Sequence, residues 1–249
     1  HNGEKALKVL EGKKPIDILS KKMAGKHKSL NDALKWAKKN GVEEVISQTK
    51  NIETVNEINS AISKMPLNMR KDIVVADFAG FKAATGFKLA GKSNNYGVSS
   101  SMSKLDTNIL SFQEKKLLMQ TGRSGEHHIV GINTRKYSTL DKISARKALV
   151  QKQYFQKTGR NYFFNTDGKI TVHHEFGHIV HNNLNSLQLN QWDSIAENWA
   201  NSTNYDLLKA RQSFTEHYGE AFAEAWGCYN AGNKKLLPKE VIEFIEGIL

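Results

Sequence analysis

Apolar positions recur with helical spacing in some stretches of the chain and gather into short β-branched runs in others, which predicts a mixture of helices and strands. Residues 4–11 and 30–40 predict short helices, the second capped by Ser29 or Asn31 and stopped by Asn40 and Gly41. Residues 53–70 predict a longer amphipathic helix, interrupted near Pro66. A β-rich stretch follows: strands at 73–76, 96–100, 108–112 and 127–132, with a glycine-rich connection through Gly80, Gly86 and Gly91. Residues 144–157 predict a helix, and Asp167 and Gly168 turn the chain into another that runs towards Leu184. An acidic helix is expected over 213–226. The pattern reads as an α+β fold with a small mixed sheet.

The helix after Gly168 carries His174-Glu175-Phe176-Gly177-His178. Residues four apart on a helix share a face, so both imidazoles can reach one metal ion while Glu175 lies beside them to take a proton from bound water. His174 and His178 are the expected ligands and Glu175 the expected general base. Two histidines leave a catalytic zinc ion one protein donor short. The acidic helix supplies candidates in Glu216, Glu220 and Glu224, spaced one turn apart. Ser213 with Glu216 fits a capping box, which would use that carboxylate on the backbone. Glu220 is therefore the expected third ligand. Glu224, one turn on, is placed to accept from the outer nitrogen of a ligand imidazole. Alanines 221, 223 and 225 would let the two helices approach closely.

With Glu-Ala-Phe-Ala-Glu-Ala-Trp downstream, the pentapeptide resembles the catalytic core of the anthrax lethal factor clan of zinc peptidases. The stretch 128–136 and the tail 236–245 are most similar to the versions found in phage or prophage head-morphogenesis proteins. The resemblance spans residues 51–249 and implies a zincin-like catalytic domain with a two-helix metal site. Residues 1–50 would form a basic helical segment ahead of it. It implies one catalytic Zn2+ ion, a peptide or protein substrate, and phage capsid or portal proteins as partners. It assigns His174 and His178 as ligands, Glu175 as base, Glu220 as third ligand and Glu224 as the carboxylate behind them. The clan also places a tyrosine shortly before the acidic helix to polarise the substrate carbonyl. Here Ser213 or Phe214 stands nearest that position, so Tyr205 takes the role in this reading, with Tyr218 as runner-up.

The remaining histidines carry weaker expectations. His181 lies about 10 Å along the axis from His174 at 1.5 Å per residue, too far to share an ion. His173 faces elsewhere and reads as structural, and His217 as an exposed helix residue. A metzincin would need glycine at 181 and histidine at 184; the chain has His181 and Leu184. An extended substrate could add to a sheet edge near the metal, and His128, Ile129, Val130, Gly131 and Ile132 are the candidate edge.

Composition narrows the setting. No apolar run approaches the ~18–20 residues that span a bilayer, and the single cysteine, Cys228, allows no internal disulfide. The net charge of +11 is uneven. Residues 1–50 hold 12 lysines against 6 acids, a balance of +6, whereas residues 169–249 hold 6 bases against 10 acids, a balance of −4. The amino-terminal lysines alternate with apolar residues, which favours a solvated helical face over a nucleic-acid surface. A bacterial cytoplasmic or phage-particle location fits these features, and secretion fits if a leader has been removed.

Overall fold

The structure is a computed structural model that describes residues 23–42, 44–70, 73–80, 96–101, 128–210 and 217–249. The helix expected at 4–11, the strand at 108–112, Gly86, Gly91, Ser213, Phe214 and Glu216 lie outside the described residues.

Strands β1 (Glu44–Ile46), β2 (Ile73–Asp77), β3 (Gly97–Ser101) and β4 (His128–Ile132) form one sheet in the order β1-β2-β4-β3. β1 and β4 flank β2 in parallel, and β3 pairs with β4 antiparallel. β2 is buried along its length and β4 at every position after His128. Continuous burial of this kind goes with a Val/Ile-rich strand covered on both faces. It also corrects the expected substrate edge. His128–Ile132 pairs on one side with β2 and on the other with β3, so its backbone has no unpaired edge to offer. The outer strand is β3, whose Gly-Val-Ser-Ser-Ser sequence suits a sheet margin, and its far side meets no further strand among the described residues.

At the carboxyl end of β2, buried Asp77 ties the sheet together. It accepts from the amides of Gln48 at 2.6 Å, Thr49 at 2.9 Å and Gly80 at 2.5 Å, and from the Ser47 hydroxyl.

Helix α1 (Leu30–Lys39) is capped by Ser29, whose hydroxyl accepts from Asp32 N, and ends at Asn40, with Gly41 at φ 96° beyond it. Helix α2 (Ile52–Lys64) is capped by Asn51 and stops at Met65 before Pro66. The buried Arg70 guanidinium donates to the loose carbonyls of Ser63 and Met65 at that end. Asn59 on α2 donates to Ala33 O on α1 at 2.8 Å, and Trp36, Ala37 and Val42 belong to the main core. The described part of the first fifty residues thus packs into the same core as the rest.

Helix α3 (Leu140–Thr158) begins earlier than its apolar pattern predicts, because Thr139 caps it by accepting from Lys142 N. Helix α4 (Gly168–Asn182) starts where expected, with Asp167 accepting from Lys169 N at 2.9 Å. Helix α5 (Ser186–Ser202) follows, opened by a reciprocal capping box between Asn185 and Gln188. A short turn, α6 (Leu207–Ala210), leads towards α7 (Gly219–Cys228), and α8 (Lys239–Ile248) closes the chain. None of the described helices is long and apolar enough to cross a membrane.

The acidic helix is shorter than expected. Among the described residues it begins at Gly219, after Tyr218 turns the chain at φ 28° and ψ 43°. The approach of α7 to α4 is as close as its alanines imply. A Cβ on Gly177 would stand 2.9 Å from Ala223 Cα, and one on Gly227 would stand 2.8 Å from Ile170 Cγ2. Behind α7, Trp192, Trp199, Phe222, Trp226 and Phe244 form a buried aromatic layer.

Candidate metal centre

The close contact of α4 and α7 brings His174, His178 and Glu220 to one point. Their ligating atoms all lie within 4.8 Å of one another, and together they could hold a metal ion. His174 Nε2 is 3.0 Å from His178 Nε2 and 3.3 Å from Glu220 Oε2, and His178 Nε2 is 3.4 Å from Glu220 Oε1. Donors about 2.0–2.1 Å from a tetrahedral ion are separated from one another by about 3.3–3.4 Å; the two Glu220 oxygens stand at that separation from one imidazole each, and the two Nε2 atoms are closer together. The imidazole rings stand edge to face at 86°. Both therefore direct Nε2 inward while keeping their planes apart.

Burial sets the protonation of these groups before any ion arrives. It lowers both imidazole pKa values from 6.5 to about 4. Glu224 opposes the shift at His174 and Lys147 adds to it, while at His178 Glu220 opposes it. Neutral imidazole is the ligating form, so neither ring must shed a proton at neutral pH. Glu220 moves up by burial, opposed by His178, Lys209 and Lys147.

Glu175 is buried at 7% exposure, and its carboxyl is held well above the usual carboxylate range, first by burial and then by the Glu220 charge. Its side chain lies against β3, where a Cβ on Gly97 would fall 2.6 Å from Oε1. The glycine leaves the space that the carboxylate fills.

Glu224, also buried, places Oε1 3.8 Å from His174 Nδ1, the ring nitrogen on the side away from the cluster. On its other flank lies Lys147 Nζ at 3.9 Å, a buried lysine from α3 that the sequence pattern does not single out. Tyr205 is buried in the turn after α5, and its phenol stays protonated well above pH 10, through burial and then the Glu224 and Glu220 charges. Tyr205 is thus within the electrostatic reach of the cluster. Tyr218 is buried at the start of α7, where its carbonyl accepts from Trp192 Nε1 at 3.1 Å.

The other histidines lie outside the cluster. His173 is fully buried and pairs with Glu57 on α2 at 2.7 Å, which ties that helix to α4. His181 packs its ring against Phe222. His217 precedes α7 rather than lying within it, and its Nδ1 is 2.6 Å from Asp193 Oδ2 on α5.

No family model, curated protein or solved structure matches the chain.

Proposed function

We propose that the protein is a zinc-dependent endopeptidase of the lethal-factor-like type, with His174, His178 and Glu220 holding the ion and Glu175 acting as general base. One observation carries this reading: three donors of the right chemistry, two imidazoles and a carboxylate, converge within 4.8 Å of one another beside a buried glutamate. When bound there, zinc supplies Lewis acidity and lowers the pKa of a coordinated water towards ~7. Glu175 takes the proton of the attacking water and hands it to the leaving amide nitrogen. Its raised pKa suits that shuttle, because the carboxyl can hold the proton between the two transfers. Tyr205 offers a protonated hydroxyl to the developing oxyanion.

The sheet supports a place for the substrate. β3 is the outer strand and Gly97 on it touches Glu175, so an extended peptide pairing along β3 would carry its scissile bond past the base. A phage-encoded role in head assembly, with capsid or portal proteins as substrates, belongs to the same proposal through the sequence resemblance.

The test is a peptide-library cleavage screen alongside metal analysis. Wild-type protein is expected to bind one zinc ion and cleave; Glu175→Gln should keep the zinc and lose turnover. Undiminished cleavage by Glu175→Gln, or absence of zinc binding by the wild type, would overturn the reading.

A further inference from the structure

A buried lysine is costly unless an opposite charge and hydrogen bonds compensate it. The 19-residue helix α3 buries three side chains among those described: Leu140, Ile143 and Lys147. These fall at i, i+3 and i+7, a single stripe, and its third position, where an apolar residue would complete the packing, holds an ammonium at 2% exposure. Its head lies over the Phe163 ring, with Nζ 4.7 Å from the centroid. Nζ donates to Thr171 Oγ1 on α4 at 3.4 Å and faces Glu224 Oε1 at 3.9 Å.

Glu224 is in complementary difficulty. It is buried, and its Oε2 has no hydrogen-bond partner. Its other oxygen stands between Lys147 Nζ and His174 Nδ1.

We propose that Lys147 is a positioning residue of the metal centre: its Nζ, set against the buried Glu224 carboxyl, holds that side chain beside the outer nitrogen of His174, which orients the ring with Nε2 towards the ion. The chain Lys147–Glu224–His174 runs from α3 through α7 to α4. The third helix thereby acts on the metal although it supplies no ligand. This inference rests on the zinc reading above.

The experiment measures zinc affinity of the full chain by competition with a chromogenic chelator, together with the visible spectrum of the cobalt-substituted protein. Lys147→Met keeps the length and apolar stem but removes the charge; it should weaken zinc binding about 10–100-fold, as loss of an outer partner of a ligand histidine does. Lys147→Arg should restore most of it. Glu224→Gln should weaken binding to a similar extent. The double variant Lys147→Met/Glu224→Gln should be no weaker than Glu224→Gln alone, because both act through one contact. The double variant buries no charge at these positions, so it tests the idea even if Lys147→Met fails to fold. Wild-type zinc affinity and an unchanged cobalt spectrum in Lys147→Met would overturn the inference. Losses that add independently in the double variant would also overturn it. Absence of zinc binding by the wild type would instead overturn the proposed function itself.

Discussion

Gly97 on β3 and Glu175 on α4 occupy mutually exclusive space: an added Cβ on the glycine would lie 2.6 Å from Glu175 Oε1, 2.7 Å from Cγ and 2.9 Å from Cδ. The sheet margin and the candidate base are therefore fitted to each other. A residue with any side chain at this strand position would push the carboxylate from its place.

Gly97→Ala makes that relationship measurable. Gly97 does not have a positive φ, so alanine meets no backbone penalty and the effect falls on Glu175. Displacement of a proton-transferring group by about 1 Å can cost about 100-fold in rate. The variant should cleave peptide about 10–100-fold more slowly and bind zinc as the wild type does. Steady-state kinetics with parallel chelator competition separates the two, and wild-type turnover would show that the carboxylate can work from elsewhere.

Gly177→Ala probes the spacing of α4 and α7, the two helices that carry the candidate ligands. Alanine gains about 1 kcal/mol in helix propensity. Its methyl, however, meets Ala223 Cα at 2.9 Å and Trp226 Cβ at 3.1 Å, and over-packing against backbone costs about 1–3 kcal/mol. The net effect should be lower stability together with weaker zinc binding, since α7 carries Glu220. Gly247→Ala on α8 is the control: nothing lies within 4 Å of its added Cβ, so only the propensity gain should appear. Thermal unfolding of both variants, with and without zinc, decides the matter.

The meeting of the two histidines of the pentapeptide was legible because it is local. A helix sets i and i+4 on one face whatever surrounds it, so His174 and His178 meet as the spacing predicts. Glu220 was reachable for a related reason: the small residues of α7 announce a close helix contact. Lys147 was not reachable, since its burial depends on α3 starting at Leu140, which Thr139 capping decides and apolar periodicity does not. Helix α5 escaped because its buried face is built from Trp192, Ala196, Trp199 and Ala200, two aromatics and two alanines within a polar stretch. The position of β4 inside the sheet is a matter of which strands pair, and strand order is long-range information. Even so, its unbroken apolar run is the pattern of an interior strand, and the serines of β3 that of a margin.

The pKa shifts predict how the metal-free protein responds to pH. His174 and His178 are held neutral in the fold, with pKa lowered from 6.5 to about 4. The unfolded chain takes up protons first as pH falls, so their contribution to stability is present above about pH 6.5 and is lost as pH drops towards about 4. Glu175 has the opposite sign. Its raised pKa means that the fold favours the neutral acid, so its contribution is present below the unfolded carboxyl pKa and is lost as pH rises through the folded one. Glu175→Gln should therefore unfold at a higher temperature than the wild type in chelator at about pH 8, by about 2–4 °C per kcal/mol of relief. The gain should shrink on acidification. Thermal scans between about pH 4 and pH 8 read both effects, and an equal gain at every pH would contradict the assignment of a raised Glu175 pKa.

Tyr205 provides the sharpest separation between binding and chemistry. Burial and the neighbouring Glu224 and Glu220 charges keep its phenol protonated, so it is a donor at any working pH. It does not belong to the cluster of metal-ligating atoms. Tyr205→Phe keeps the ring that packs beside Trp199, with centroids 6.3 Å apart, and removes only the hydroxyl. If that hydroxyl stabilises the developing oxyanion, the variant should lose about 100–1,000-fold in kcat while fold stability and zinc affinity stay near those of the wild type. A compensating rise in KM without a change in kcat would instead assign the hydroxyl to ground-state binding. Kinetics and chelator competition on the one variant distinguish these outcomes. Full activity would remove Tyr205 from the reaction and return the oxyanion role to another donor near α7.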